Sequence, residues 1–454
     1  MTASSPEQLA KQIIQILHDQ GHQAFLVGGC VRDRLLHLAP KDYDVSTDAT
    51  PDQLCTYFPR AETVGAHFGV VLVNGEKGQH VEVATFRSEG VYTDGRRPDQ
   101  VHFEKDPALD AKRRDFTING LMEDPLSGEI LDYVHGQSDL RNGIVRAIGD
   151  PLRRFEEDHL RMLRAVRFAA RLRFDIAPDT LHAIQKLASK IKSISAERIR
   201  DELVRIMTEG GARRGLELLD ETRLLQYVLP EVKAYQGVAQ PPEFHPEGDV
   251  WKHVLLMLGN LKKPSTTLAF GVLFHDIGKP PTFRIADRIR FDGHAEVGAA
   301  MTRNVLARLK FPHNESDQIT SLVANHMKFK DVRQMRTSTL KRFLRLPDFE
   351  EHLELHRLDC LASNGRTDAY NFVREKRDEF SHEELRPVRL LTGRDLIAAG
   401  YKPGPAFAHV LEQVETAQLE GEIHTRQEAI DLALRILDGA PELPTASEIV
   451  PKVS

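Results

Sequence analysis

Apolar positions recur with helical spacing from the first turns of the chain. In Glu7 to His18, Leu9, Ile13, Ile16 and Leu17 fall at i, i+4, i+7 and i+8, the stripe of an amphipathic helix. Ala24 to Val27 is a short apolar run that stops at Gly28-Gly29, the pattern of a buried strand closed by a turn. Helical spacing resumes over Cys30 to Leu36, and Thr50-Pro51 opens another helix with a capping hydroxyl and a proline in its first turn. Phe68 to Asn74 and Gln79 to Arg87 read as strands joined at Asn74-Gly75. Alternation across His80 to Phe86 sends Glu82 to one face with His80 and Ala84. Ser88 to Asp99, with Arg96-Arg97-Pro98, is a polar loop, and Lys112 to Asn119 starts a further helix. Beyond Asp150-Pro151 the pattern is helical, beginning with a long basic helix over Phe155 to Phe168. Strands early and helices late make an α+β chain.

Composition changes this picture little. The 454 residues are enough for about three domains, with 28% charged and 41% hydrophobic side chains, a globular balance. Three scattered cysteines (Cys30, Cys55, Cys360) make neither a disulfide framework nor a cysteine zinc site, which suits a reducing compartment. Glu7, Lys11 and Asp19 interrupt the first twenty residues, so they are not expected to be a signal peptide, and no uncharged stretch reaches membrane-spanning length. The expected location is the cytoplasm, with no membrane partner. Net charge is −6, yet Arg141 to Arg214 carries seventeen Lys and Arg against ten Asp and Glu, a local +7. Such a segment in an acidic chain is either a footprint for RNA or a solvated helical face.

The candidate chemistry begins where the first strand ends. Gly28 and Gly29 let a triphosphate approach the backbone, the following helix would point its first N–H groups at it, and Arg32 can add a bidentate contact. In Asp42-Tyr-Asp44 the carboxylates stand two residues apart, so on a strand they face one side. Two like charges so placed call for a cation, and Mg²⁺ prefers carboxylate oxygens together with substrate phosphates. Glu82 is the candidate third carboxylate. Arg114 and Asp115 suit phosphate and ribose hydroxyls. Glu157, Asp158, Arg161 and Arg164 share one helical face, where Asp can accept from the amino group of cytosine or adenine and Arg can donate to a ring nitrogen or carbonyl; a salt-bridged surface has the same spacing.

The sequence Gly28-Gly29…Arg32-Asp33, Asp42-x-Asp44, Arg113-Arg-Asp-Phe-Thr-Ile-Asn119, Glu157-Asp158-x-x-Arg161 resembles, over about Ala24 to Thr208, the class II tRNA nucleotidyltransferases, which comprise CCA-adding enzymes and bacterial poly(A) polymerases. The resemblance implies a polymerase-β-type head with a small mixed sheet, followed by an all-α neck and body. It implies catalytic carboxylates at Asp42, Asp44 and Glu82, with Mg²⁺ on the first two. The implied nucleotide site comprises Gly28, Gly29, Arg32, Arg114, Asp115, Asn119, Asp158, Arg161, Arg164 and Arg167, with Asp158 and Arg161 as the protein template selecting CTP and ATP. Gly120 departs from the alanine usual in the family.

From Asp249 the residue types change. His253, His275-Asp276-Ile-Gly-Lys279, Gly293-His294, His326 and Asp359 supply nitrogen and oxygen ligands on successive predicted helices. Neutral imidazole favours transition metals over Mg²⁺. This set resembles the HD phosphohydrolases. The resemblance implies a first metal set of His253, His275, Asp276 and Asp359, a second at His294 and His326, and Ni, Mn, Co or Mg²⁺ as the ion. The expected activity is a phosphatase or phosphodiesterase. Leu391 to Ile397, Gly400 to Phe407 and Gln418 to Glu422 resemble the C-terminal part of HD-bearing members of the nucleotidyltransferase family.

The domains expected are a head (1–145), a helical nucleotide-selecting and tRNA-binding neck (146–240), an HD domain (241–380) and a helical tail (381–454). The function expected is CCA addition to the tRNA 3′ end from CTP and ATP. The rivals are a poly(A) polymerase, a CC-only or A-only enzyme, and an RNA-binding HD phosphohydrolase with an inactive head. The short spacing from Arg87 to Arg113, with Tyr92-x-Asp94-Gly-Arg-Arg-Pro98, looks more like the CCA-adding branch.

Overall fold

The computed structural model describes residues 5–63, 69–89, 101–243 and 245–439. The expected loop over Ser88 to Asp99 lies largely outside them, as do Phe68 and the last fifteen residues. Two compact units divide the chain, 1–319 and 320–454.

The first unit opens with helix α1 (Pro6–Asp19), started by a capping box in which Ser5 and Gln8 satisfy each other's backbone N–H. Its buried stripe is Ala10, Ile13, Ile14 and Leu17, whereas Ile16 is 40% exposed. The expected stripe was therefore one residue out, and Ile14 takes the inner position. Strands β1 (Ala24–Val27), β2 (Asp44–Thr47), β3 (Ala61–Thr63), β4 (Val70–Asn74) and β5 (His80–Thr85) follow, with α2 (Gly29–Leu35) after β1 and α3 (Pro51–Tyr57) after β2. A hairpin of β6 (Arg87–Glu89) and β7 (Val101–Phe103) stands apart from the main sheet. Helix α4 (Pro107–Lys112) precedes β8 (Met122–Glu123) and β9 (Ile130–Leu131). The seven-stranded sheet runs β3-β4-β5-β2-β1-β8-β9. β1 is antiparallel to β2 and β8, while β2 and β5 are parallel. In β5 the alternation holds: Val81, Val83 and Thr85 are buried and His80 and Glu82 are exposed.

Lys112 ends α4 instead of starting a helix; Arg113 to Phe116 form a bend, and a single 3₁₀ turn covers Thr117–Asn119. Helix α5 (Gly136–Asn142) leads to β10 (Ile144–Val145), which pairs in parallel with β11 (Asp175–Ile176) and ties the head to the helices after it. The single basic helix expected over Phe155 to Phe168 is two: α6 (Pro151–Glu157) and α7 (Leu160–Leu172). Asp158 breaks it by leaving helical geometry (φ −147°, ψ 105°) and accepting a hydrogen bond from the Leu160 N–H, as short polar side chains do at helix starts. Helices α8 (Pro178–Leu187), α9 (Ala196–Thr208), α10 (Ala212–Glu221), α11 (Leu225–Val228) and α12 (Pro230–Lys233) continue this half. α13 (Val250–Gly259), α14 (Thr266–Phe274), α15 (Lys279–Thr282) and α16 (His294–Arg308) carry the HD histidines and aspartate of this unit. The division between units falls inside α17 (His313–Asn325).

In the second unit, a 3₁₀ stretch (His326–Gln334) is followed by α18 (Thr337–Leu344), α19 (Phe349–Ala362) and α20 (Asp368–Glu379), packed around Phe329, Phe343, Phe349 and Val373. The short α21 (His382–Leu385) leads to α22 (Gly393–Ala398), started by the expected Thr392 cap. With α23 (Pro405–Glu420) and α24 (Arg426–Gly439) it buries Leu391, Leu396, Val410, Val414 and Ala429. Arg342 and Arg345 both pair with Glu415, joining α18 to α23.

Gly120 acquires a packing reason. A Cβ there would lie 2.7 Å from Val134 Cγ2 and 3.3 Å from Ile148 Cδ1, inside the cluster of Val27, Ala111, Met122, Val134 and Ile148. Valine is stiff at χ1 and cannot swing aside. Gly120→Ala should therefore destabilise the chain by about 1–3 kcal/mol, the usual range for overpacking. The double replacement with Val134→Ala should be more stable than the two single losses added together. Calorimetry on the three variants checks this, and simple additivity would show that the two sites do not meet.

Candidate active site and metal centre

The sheet register brings the head's carboxylates together. Asp44 opens β2 and stands opposite Glu82 of β5, and Val27, the last residue of β1, stands opposite Asp44 from the other side. Parallel neighbours sit about 4.8 Å apart and place their side chains on one face. Asp42 lies just before the strand, so the expected strand pair is a strand residue and a loop residue. Burial pushes the Asp44 carboxyl up to about 6, with Glu82 and Asp42 adding to the rise and Arg114 opposing it. Asp44 is half-buried while Asp42 and Glu82 are exposed, and carboxylates of this kind are the donors a divalent cation such as Mg²⁺ prefers.

Next to them the turn after β1 is tight. Gly28 has φ 73° and ψ −127°, and a Cβ there would meet Arg114 Nη1 at 3.1 Å. The Arg114 guanidinium thus lies against the glycine backbone, held through Nη2 by Asp110 Oδ2 at 3.0 Å and Ser46 Oγ at 3.2 Å. Asp110 is fully buried and also takes Arg113 at 2.6 Å. Burial would raise its carboxyl, but Arg114 and Arg113 hold it below the usual range. Neither Ser46 nor Asp110 was among the expected site residues. The readable signal for Asp110 was its i, i+3, i+4 spacing to Arg113 and Arg114.

Asp115, Asn119, Arg32 and Arg164, four more of the expected nucleotide residues, form a network that links the bend after α4 to α2 and α7. Asp115 accepts from its neighbour's backbone (Phe116 N, 2.8 Å), from Asn119 Nδ2 (3.0 Å) and twice from Arg164 (2.8 and 2.6 Å). Burial acts to raise its carboxyl, yet Arg164 and the Asn119 amide hold it well below the ordinary value. Asn119 in turn accepts from Arg32 Nη1 at 2.6 Å, and Arg32 donates its Nε and Nη2 to Asp33. Asp33 also takes Arg171 of α7 at 3.0 Å. Arg32, Arg164 and Arg167 lie within 5.4 Å of the centre of the Phe168 ring, and Arg167 pairs with Glu202 of α9 at 3.0 Å. Arg32 is 2% exposed and Arg167 6%. Both pair with buried carboxylates of the chain, Arg32 with Asp33 and Arg167 with Glu202.

Asp158 and Arg161 meet through the backbone, where the Arg161 N–H donates to the Asp158 carbonyl at 3.0 Å. Asp158 accepts from Arg198 of α9 at 2.8 Å and from the Leu160 N–H, whereas Arg161 donates to Glu157 and to the Arg154 carbonyl. Arg198, forty residues away, was not legible from local spacing.

The HD residues of the first unit also gather. His253, fully buried on α13, has its ring centre 5.4 Å from that of His275. His275 Nε2 is 3.1 Å from Asp276 Oδ2, and His294 Nε2 is 3.8 Å from Asp276 Oδ1. Lys279 Nζ pairs with Asp276 at 2.7 Å and with Gln240 Oε1 at 2.6 Å. Burial acts to raise the Asp276 carboxyl, but His275 and Lys279 hold it well below the usual value. His275 and His294 turn Nδ1 toward the carbonyl three residues earlier, at 2.9 and 2.8 Å, which directs Nε2 away from the helix as a ligand would need. His245 and Glu247, absent from the expected set, stand beside His253 with ligand atoms within 4.8 Å of one another. In the second unit, His326 is buried with Nδ1 2.7 Å from the Val323 carbonyl, and Asp359 is half-buried on α19.

Residues 24–146 match the poly A polymerase head domain, 173–236 the family described as "Probable RNA and SrmB- binding site of polymerase A", and 249–361 the HD domain. The CCA-adding enzyme of Lactobacillus helveticus is 32% identical over 438 residues, 94% of this chain and 97% of that protein. That of Levilactobacillus brevis is 43% identical over 222 residues, 48% of this chain and 55% of that protein, so this second alignment spans about half of the relative. The crystal structure of the Bacillus stearothermophilus CCA-adding enzyme in complex with CTP overlays with a TM-score of 0.72 at 27% identity, covering 96% of this chain and 99% of that one. With the head, the RNA-binding segment and the HD domain matched in order and a relative aligned nearly end to end, the chain belongs to the CCA-adding enzyme family of nucleotidyltransferases.

Proposed function

We propose that this protein adds CCA to tRNA 3′ ends from CTP and ATP without a nucleic-acid template. The observation that carries the reading is the register of Asp44 with Glu82, beside Asp42, Gly28 and Arg114, in a chain aligned over nearly its whole length with a CCA-adding enzyme. Asp42 and Asp44, with Glu82 as the third carboxylate, would hold two Mg²⁺ ions, which would supply acidification of the primer 3′-hydroxyl and charge neutralisation at the leaving pyrophosphate. Arg114, fixed by Asp110 and Ser46, offers charge to the triphosphate where Gly28 lets it approach. Asp115 and Asn119, bonded to each other and to Arg164 and Arg32, would support the nucleotide site, and Gly29 would let a phosphate approach the backbone. Asp158 reads the base. A carboxylate is an acceptor only, so it takes the exocyclic amino group of cytosine or adenine and repels the carbonyl that uracil or guanine presents there. Arg161 donates to the adjoining ring nitrogen or carbonyl, and Arg198 steadies Asp158 from behind.

A second reading concerns the HD domain. The gathering of His253, His275, Asp276 and His294 favours a transition-metal phosphoesterase, a phosphatase or phosphodiesterase, using Ni, Mn or Co. His326 and Asp359 are assigned by motif order alone. We place the protein in the cytoplasm. Three free cysteines support this, and among the described residues no helix is long and apolar enough to cross a membrane.

Asp42→Ala or Asp44→Ala should abolish nucleotide addition, by at least about a hundredfold, while tRNA binding persists. A lost metal ligand removes transition-state stabilisation and leaves the basic surface intact. Mutants keeping most of their turnover would exclude the carboxylate assignment. The pH dependence follows from Asp44. Its carboxyl titrates near 6, so below that pH protons compete with Mg²⁺. The Mg²⁺ concentration for half-maximal activity should rise as pH falls through 6, approaching tenfold per unit for one competing proton.

Arg161→Ala should relax base choice. One bidentate contact is worth about 1–3 kcal/mol, roughly tenfold to a hundredfold in the CTP-to-UTP ratio measured on single addition steps. Unchanged selectivity would assign Arg161 to the Glu157 ion pair only. Joint His275→Ala and Asp276→Ala replacement should remove metal-dependent phosphoester hydrolysis and spare CCA addition. Loss of both activities in a folded double variant would show that the two centres are not independent.

A further inference from the structure

Glu247 stands one residue outside every motif used so far, in the segment His245-Pro-Glu-Gly-Asp249 that leads into α13. The segment is firmly built. Gly248 takes φ +114°, Asp249 caps α13 by accepting from the Lys252 N–H at 2.9 Å, and the Val250 N–H donates to the Val238 carbonyl at 3.0 Å. The Glu247 side chain is 6% exposed, and its Oε1 receives two imidazoles at once, His253 Nδ1 at 2.7 Å and His245 Nδ1 at 2.8 Å. We propose that Glu247 is the positioning residue of the HD metal centre: its carboxylate locks His253 in the tautomer that presents Nε2 to the ion. This rests on the HD reading above.

The logic follows from donors and acceptors. An ionised carboxylate can only accept, so both Nδ1 atoms must carry the protons. In neutral His253 that leaves the lone pair on Nε2, and the same ring lies 5.4 Å from His275, the first histidine of the HD pair. His275 and His294 are oriented differently, by backbone carbonyls of their own turns, which any helical sequence would supply. His253 meets its carboxylate at Nδ1, whereas His275 meets Asp276 through Nε2, and a charged acceptor at Nδ1 raises the basicity of the opposite nitrogen. Glu247 is an orienter and not a ligand on distance grounds. Two ligands of one tetrahedral ion, each about 2.0–2.1 Å from it, stand about 3.3 Å apart, while the two contacts here are of hydrogen-bond length. His245, sharing the acceptor with its ring centre 4.9 Å from that of His253, closes the carboxylate off from water.

The test uses the full-length protein and Ni²⁺ alone as the probe, followed by calorimetric titration, with nitrogen-15 spectra of labelled histidine side chains recorded before metal is added. The metal-free wild type should show His253 protonated at Nδ1. Glu247→Gln keeps the shape but weakens the acceptor. It should cost tenfold to a hundredfold in Ni²⁺ affinity and lose the fixed Nδ1–H signature, with Glu247→Asp restoring part of both. Retained CCA addition shows that each variant is folded. Wild-type affinity together with an unchanged His253 spectrum in Glu247→Gln would overturn the proposal while leaving the HD reading in place. A wild type that binds no Ni²⁺, Mn²⁺ or Co²⁺ would overturn the HD reading and the positioning role with it.

Discussion

The Asp115–Arg164 ion pair is the constraint on which the active site depends. Asp115 belongs to the bend after α4 in the head and Arg164 to α7 in the neck, so their contact fixes one against the other. The pair is not isolated. Asn119 passes the connection to Arg32, Arg32 to Asp33, and Asp33 back to Arg171 of α7, a circuit that crosses between head and neck twice. The Phe168 ring lies within reach of three guanidiniums and packs edge-on against Phe116. Buried charges in such a circuit are tolerable because each finds a partner; removing one member would strand another at a cost of about 3–5 kcal/mol. The circuit ties the bend after α4 to α7, the helix that carries Arg161.

The two candidate metal sites follow opposite electrostatic designs. In the head, burial first and then the charges of Glu82 and Asp42 push the Asp44 carboxyl up to about 6, a setting that suits a hard cation carrying phosphate ligands. In the HD region a single buried aspartate is surrounded by imidazoles and Lys279, and Asp276 stays ionised with the lysine ammonium against it. The first arrangement suits an ion that arrives with substrate, and the second a resident ion softer than Mg²⁺.

Much of this was legible in the sequence, because the decisive features are local. Alternation in β5 placed Glu82 on the open face, a two-glycine stop ended β1, and an adjacent His-Asp pair announced the HD site. The errors have physical causes. Ile16 fits a helical stripe as well as Ile14 does, and only the sheet beneath α1 selects between them. The Phe155 to Phe168 segment looked like one helix because propensity cannot see the Asp158 side chain capping the next one. The burial of Arg32 and Arg167 was not legible because Asn119 and Glu202, which pair with them, are distant in sequence. Ser46, Asp110, Arg198 and Glu247 went unnoticed for the same reason: their importance lies in what they hold in place.

The most direct measurement is product sequencing. Purified protein is incubated with tRNA lacking its last three nucleotides, with all four nucleoside triphosphates and Mg²⁺ present, and the new 3′ ends are read individually. A protein template built from Asp158 and Arg161 predicts ends terminating in CCA and no further, with uridine and guanosine rare. Tails of adenosine, single additions of one base only, or untouched tRNA would contradict the account.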